Sequence, residues 1–181
     1  MKRTILLFVM ATASIMIFAQ KKTSTSASIA FDASTAIDAL PKAENKTAIA
    51  AIDPEKHTVQ FEAAIKNFAF SNPRIQDHFN QKGWMNSDEF PKATFNGVIT
   101  NPSAVNFKKD GTYNVTVEGD LTIKGKTQKV TTPATIAVAG STLKTTAEFT
   151  IKLADFGVEG QPINAGKVSG EPKITVTADL N

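Results

Sequence analysis

Apolar and polar positions alternate with a period of two over most of the second half of the chain, the spacing of a strand that is wet on one face and dry on the other. Between Gly111 and Ile123, Tyr113, Val115, Val117, Gly119, Leu121 and Ile123 share one parity, while Thr112, Asn114, Thr116, Glu118, Asp120 and Thr122 share the other. A bend is expected at Gly119. Val130, Thr132, Ala134, Ile136 and Val138 resume the alternation, with Gly125 and Lys126 between the two runs as a two-residue hairpin turn. Gly140 and Ser141 supply another tight turn. Ala147, Phe149, Ile151 and Leu153 then alternate with polar neighbours, and Ile174, Val176, Ala178 and Leu180 form a last strand. Residues 157–172, rich in glycine and proline, read as a mobile surface loop.

The first half is less regular. Ala27, Ile29 and Phe31 predict a short strand, with residues 20–26 as a flexible polar lead-in. Residues 32–47 hold no sustained period and read as a loop with one helical turn over Thr35–Leu40. A second strand is expected over Ile49–Ile52, ending at Asp53-Pro54, and a third carries Val59, Phe61, Ala63 and Ile65 inward. Phe68 and Phe70 fall on the opposite parity, so either a β-bulge near Asn67 restores them to the apolar face or the strand ends. Ser71 or Asn72 ahead of Pro73, with Gly83 beyond, marks one short helix near residues 73–82, on which Ile75 and Phe79 share a face. Trp84, Met85 and Phe90 follow in a loop, and Ala93, Phe95, Gly97 and Ile99 alternate again.

Seven or eight strands, most with one polar face, predict an all-β antiparallel protein. Two architectures satisfy this pattern: an extended barrel of about eight strands with room for one small ligand, or a sandwich with a solid core. The inward positions mix bulky Phe61, Phe95, Tyr113 and Phe149 with small Ala63, Gly97, Gly119 and Ala147, which suits either arrangement.

The N-terminus adds an address. Lys2 and Arg3, the apolar run Ile5 to Phe18 and Ala19 have the order of a cleaved secretory signal over residues 1–19, and the run is short for a membrane span. A single domain over residues 27–181, periplasmic or secreted, is therefore expected. The signal contains two of the twenty basic residues and none of the seventeen acidic ones, so the mature formal charge is +1. With no basic stripe, nucleic acid is not an expected partner. The absence of cysteine excludes disulfides, thiolate metal sites and cysteine nucleophiles.

Catalytic groups are sparse. Histidine occurs only at positions 57 and 78, with no partner at metal-ligand spacing, and the consecutive Asp88 and Glu89 point apart in an extended loop. No phosphate-cradling glycine motif is present. The reading is of a non-enzymatic protein without metal or cofactor.

Three stretches in order carry a family resemblance: His78-Phe79 with WMNSDEFPKATF (Trp84–Phe95), VEGDLTIKGKTQKV (Val117–Val130), and AEFTIKLADFGV (Ala147–Val158). Over Ile52–Asn181 the chain resembles the YceI-like family. It departs from the family pattern in lacking a histidine in SASIAFDAST, in having Trp84, Met85 and Asn86 where an aromatic pair and aspartate are usual, and in a shortened, irregular N-terminal region. The resemblance implies a lipocalin-like barrel holding a long amphiphilic lipid, a polyisoprenoid or isoprenoid quinone. It places the ligand-binding residues at Phe61, Phe95, Tyr113, Val115, Val117, Leu121, Phe149 and Ile151, with Phe79, Trp84 and Met85 at the entrance. The implied partners are the lipid and, transiently, a membrane, for a monomer or homodimer. A solid-cored β module acting through protein contacts in envelope stress or adhesion is the alternative.

Overall fold

The computed structural model describes residues 21–181, so the signal read over residues 1–19 lies outside the described residues. Nine strands are present among them: β1 (Lys22–Asp32), β2 (Lys42–Asp53), β3 (Thr58–Ala64), β4 (Ala69–Phe70), β5 (Lys92–Ile99), β6 (Gly111–Ile123), β7 (Lys126–Ala139), β8 (Thr142–Thr150) and β9 (Lys173–Leu180). Two helices accompany them, α1 (Pro73–Asn80) and the single turn α2 (Gln161–Asn164). The strands follow the order β1-β9-β8-β7-β6-β5-β3-β2, and β2 pairs back onto β1. All pairings are antiparallel, so eight strands close a barrel and leave no free sheet edge. The ninth, β4, is a two-residue strand that pairs with Ala43 and Glu44 of β2, on the edge that β3 has vacated.

The alternation read between Gly111 and Val138 is the β6–β7 hairpin, which is paired without interruption from Gly111↔Val138 to Ile123↔Lys126. The turn is one residue earlier than expected. Lys124 (φ 50°) and Gly125 (φ 72°) both take left-handed backbone, as the favoured two-residue hairpin turn requires. Beside the hairpin, Gly97 and Gly119 face each other across β5 and β6. A Cβ on Gly119 would lie 2.5 Å from Asn96 O and 2.7 Å from Phe95 Cζ, so the pair leaves room for the Phe95 ring to lie flat across both strands.

Three expectations for the first half are corrected, and one open alternative is decided. The polar lead-in is strand from Lys22 onward, because its backbone bonds regardless of its side chains: Thr23 and Asn181 exchange both N–H···O bonds at 3.1 Å. Residues 42–47, expected as loop, begin β2. Asn45 is fully buried there, its Nδ2 donating to Ala64 O (2.9 Å) and its Oδ1 accepting from Thr47 N (2.8 Å) and Thr47 Oγ1 (2.9 Å). That local turn skips Lys46 and Thr47 and moves the inward parity to Ala48, Ala50 and Ile52. The helical turn over Thr35–Leu40 is absent; turns hold that stretch instead. Finally, β3 ends without a bulge. A 3-10 turn over Ile65–Asn67 resets the chain so that Phe68 is buried.

The short helix is where its signals place it. Asn72 caps α1 by accepting from Arg74 N at 3.0 Å, Pro73 is its first residue, and Phe79 is its buried one. After α1, Met85 N donates to Phe79 O and Ser87 N to Asn80 O, both at 3.1 Å, which folds the next loop under the helix. Residues 157–172 also contain more structure than expected: α2 and the fully buried Val158 and Pro172.

Candidate functional site

The barrel interior has two unlike halves. At the end where β1 begins and β9 finishes, Ile99, Val105, Val138, Leu143 and Leu180 are buried against one another and none reaches open space. Toward the α1 end lies a cavity of about 140 Å³. Twenty-seven residues line it, and only Thr94, Thr132 and Thr145 among them are polar. The Thr132 hydroxyl is turned onto backbone, 3.0 Å from Pro133 O and 3.2 Å from Glu148 O. No ionisable side chain faces the space. An ionised group inside it would lack any partner, so the cavity suits an uncharged apolar chain.

The cover is aromatic. Phe79, projecting from α1, has its ring centroid 4.9 Å from Phe70, 5.9 Å from Phe68 and 6.2 Å from Phe31, all tilted. Phe31, Phe68 and Phe79 themselves line the cavity, with Met85 beside them. The aromatic hub thus roofs the space that the barrel walls leave open.

Of the residues expected at a ligand site, Phe61, Phe79, Met85, Phe95, Val117, Leu121, Phe149 and Ile151 are brought together around this cavity. Trp84, Tyr113 and Val115 are not. Trp84 packs on the core from outside, Tyr113 donates its hydroxyl to Lys109 O (2.8 Å), and Val115 is buried away from the space. Residues not singled out from the sequence complete the wall, notably Phe31, Ile65, Phe68, Ile136, Ile174 and Val176. Strand parity was the signal for Ile136, Ile174 and Val176. For Phe68 parity left two alternatives open, an inward position after a bulge or the end of the strand, and the 3-10 turn brings it inward without a bulge.

The remaining candidates are scattered. His57 occupies a turn with φ 55°, its ring 6.1 Å from Phe107. His78 is exposed on α1, while Asp88 pairs with Lys66 at 2.6 Å and Glu89 accepts from Asn86 Nδ2 at 2.6 Å. Among the described residues, no three His, Asp or Glu side chains gather as a metal site. The most perturbed carboxyl is Asp32, where β1 leaves the barrel beside Phe31. The Ser34 hydroxyl (2.6 Å), together with Lys42 (2.9 Å) and the Ser34 N–H, holds its pKa down at about 2 against the opposing effect of partial burial.

Comparison with known proteins agrees with this geometry. BcnA of Burkholderia cenocepacia superimposes with a TM-score of 0.70 at 25% identity, covering 86% of this chain and 96% of that one. A polyisoprenoid binding domain from Saccharophagus degradans, implicated in plant cell wall breakdown, shares the fold with a TM-score of 0.74 at 12% identity, covering 89% and 97%. A Campylobacter jejuni YCEI protein matches more loosely, with a TM-score of 0.51 at 18% identity over 74% and 80% of the two chains. No curated protein matches the sequence significantly. The model of the YceI-like domain matches residues 12–180, reaching well ahead of Ile52, where the sequence motifs begin, and taking in the full-length β1 and β2 that the sequence suggested were shortened. The closed eight-stranded barrel and this nearly complete match agree: the chain belongs to the YceI-like domain family.

Proposed function

We propose that this protein binds, stores or carries an amphiphilic lipid of polyisoprenoid or isoprenoid-quinone type in the cell envelope, without catalysing a reaction on it. The observation that carries this reading is the cavity wall, twenty-seven residues with no ionisable group among them. Each methylene of a lipid chain removed from water into such a space contributes about 0.8 kcal/mol and needs no polar partner. The polyisoprenoid binding named for the Saccharophagus degradans domain supports the same chemistry here. The signal-like N-terminus supports the envelope. No helix among the described residues is long and apolar enough to cross a membrane.

Size adds a constraint. An engineered apolar cavity of about 150 Å³ takes up benzene, and the space here is about 140 Å³. A long chain therefore fits only if side chains that now close the barrel move aside, and the Phe79 roof is the part that opens. The test is mass spectrometry of an organic extract of the protein purified from its own kind of cell. A stoichiometric isoprenoid lipid is expected; an extract free of lipid would overturn the proposal.

A further inference from the structure

The loop joining β1 to β2 turns its apolar side chains outward. Ile37 is 71% exposed and Leu40 48%, two of the four large hydrophobic side chains left open among the described residues, and Ala36 and Ala39 are exposed beside them. The loop is well bonded: Thr35 N donates to Asp38 O (2.8 Å), Leu40 N to Asp38 Oδ1 (2.9 Å) and Ala33 N to Pro41 O (2.9 Å). Its one charged side chain between the ends, Asp38, is thus folded onto the backbone while the apolar ones face water. Four apolar side chains exposed together on one short, well-bonded loop give it an apolar tip that a contact would bury.

Position identifies the contact. The loop starts directly after Asp32, next to Phe31, which lines the cavity and touches the Phe79 roof. It therefore stands at the rim of the cavity's covered end. Residues 32–42, 65–91, 124–125 and 151–172, the segments that join the strands at the α1 end, hold seven basic and eight acidic residues, a near balance that gives no net positive field for an acidic partner or an anionic surface. A lipid suited to the cavity resides in a bilayer, and transfer that keeps its chain out of water begins at the bilayer surface. We infer that Ile37 and Leu40 insert into a lipid bilayer and dock the α1 end of the barrel on it for lipid exchange. This rests on the reading of the cavity as a lipid site.

Flotation with phosphatidylcholine vesicles tests the inference. The wild-type protein is expected to float with the vesicles, equally well at low and at high salt, because insertion rather than charge holds it. Ile37→Asp with Leu40→Asp is expected to partition at least about tenfold more weakly, from the lost burial of two aliphatic side chains, with an unchanged melting temperature. Equal flotation of both proteins, or no flotation of the wild type, would overturn docking by this loop. Geranylgeraniol delivered from ethanol separates the two readings. Equal loading of both proteins supports docking as a step distinct from binding. Equal failure to load overturns the lipid reading of the cavity, and with it the docking. Loss of loading in the variant alone overturns the docking, since the loop would then belong to the cavity itself.

Discussion

At the scale of single residues, Asp32 shows how one carboxylate secures the rim. Its acceptor oxygens tie Ser34 N (3.0 Å), the Ser34 hydroxyl and Lys42, the residues through which the chain leaves β1 and returns into β2. The folded-state pKa is depressed, about 2 against an ordinary 3.8, so its stabilisation is complete above the ordinary value and is lost as pH falls through the folded one. Asp32→Asn is accordingly expected to cost roughly 1 kcal/mol at neutral pH, the scale of a solvent-screened pair with a capping hydrogen bond. The gap between the two proteins' melting temperatures should hold steady above about pH 5 and close between about pH 4 and 2. A gap independent of pH down to 2 would show that the carboxylate charge does not secure the rim. Residues are also where the sequence misled most. Tyr113 has the inward parity of its strand, yet it stands near the start of β6, toward the packed end, where its hydroxyl donates to Lys109 O, and it does not line the cavity. Trp84 follows the helix as expected, yet the turn through Asn86 (φ 47°) sends Met85, and not Trp84, into the space.

At the scale of elements, legibility followed the source of each element's stability. β6 and β7 were readable because burial of alternate side chains decides them, and α1 because capping and a first-position proline are local chemistry. The start of β1 and the first half of β2 were not readable. They are held by backbone ladders and by the buried Asn45 side chain, and neither leaves an apolar period. On the proposed function, α1 is the element whose packing would control access. Phe79 is the contact point of three other rings, so Phe79→Ala should lower stability by about 3 kcal/mol in denaturant unfolding, at the lower end for a buried phenylalanine. It should also speed loading of geranylgeraniol several-fold while Phe79→Leu restores the slower rate. Unchanged loading kinetics in Phe79→Ala would mean that the chain enters elsewhere.

At the scale of the whole molecule, the choice between a hollow barrel and a solid core has a divided answer, and the inward residues explain the division. In the half away from α1, Ile99, Val138, Leu143 and Leu180 are branched side chains on inward positions, buried and not lining the cavity. Around the cavity, Ala63, Ala93, Ala134 and Ala147 stop short of the axis. Small residues were a double-edged signal, because Gly97 and Gly119 do the opposite and admit the Phe95 ring instead of leaving space. Parity says which residues face inward, but closing a barrel over its axis depends on summed side-chain volume at each level, and that needs the register of all eight strands. The alanines therefore set the capacity of the site. Ala147 lies on β8 opposite Ala134 and Val176, on the cavity wall and away from the roof. Ala147→Phe should fill the space from one side, abolish geranylgeraniol binding and leave the melting temperature unchanged or raise it, since filling an apolar void commonly stabilises by about 0.5–2 kcal/mol. Binding that survives in a folded Ala147→Phe protein would place the lipid outside this cavity; loss of binding together with unfolding would mean overpacking, which the smaller Ala147→Val substitution relieves.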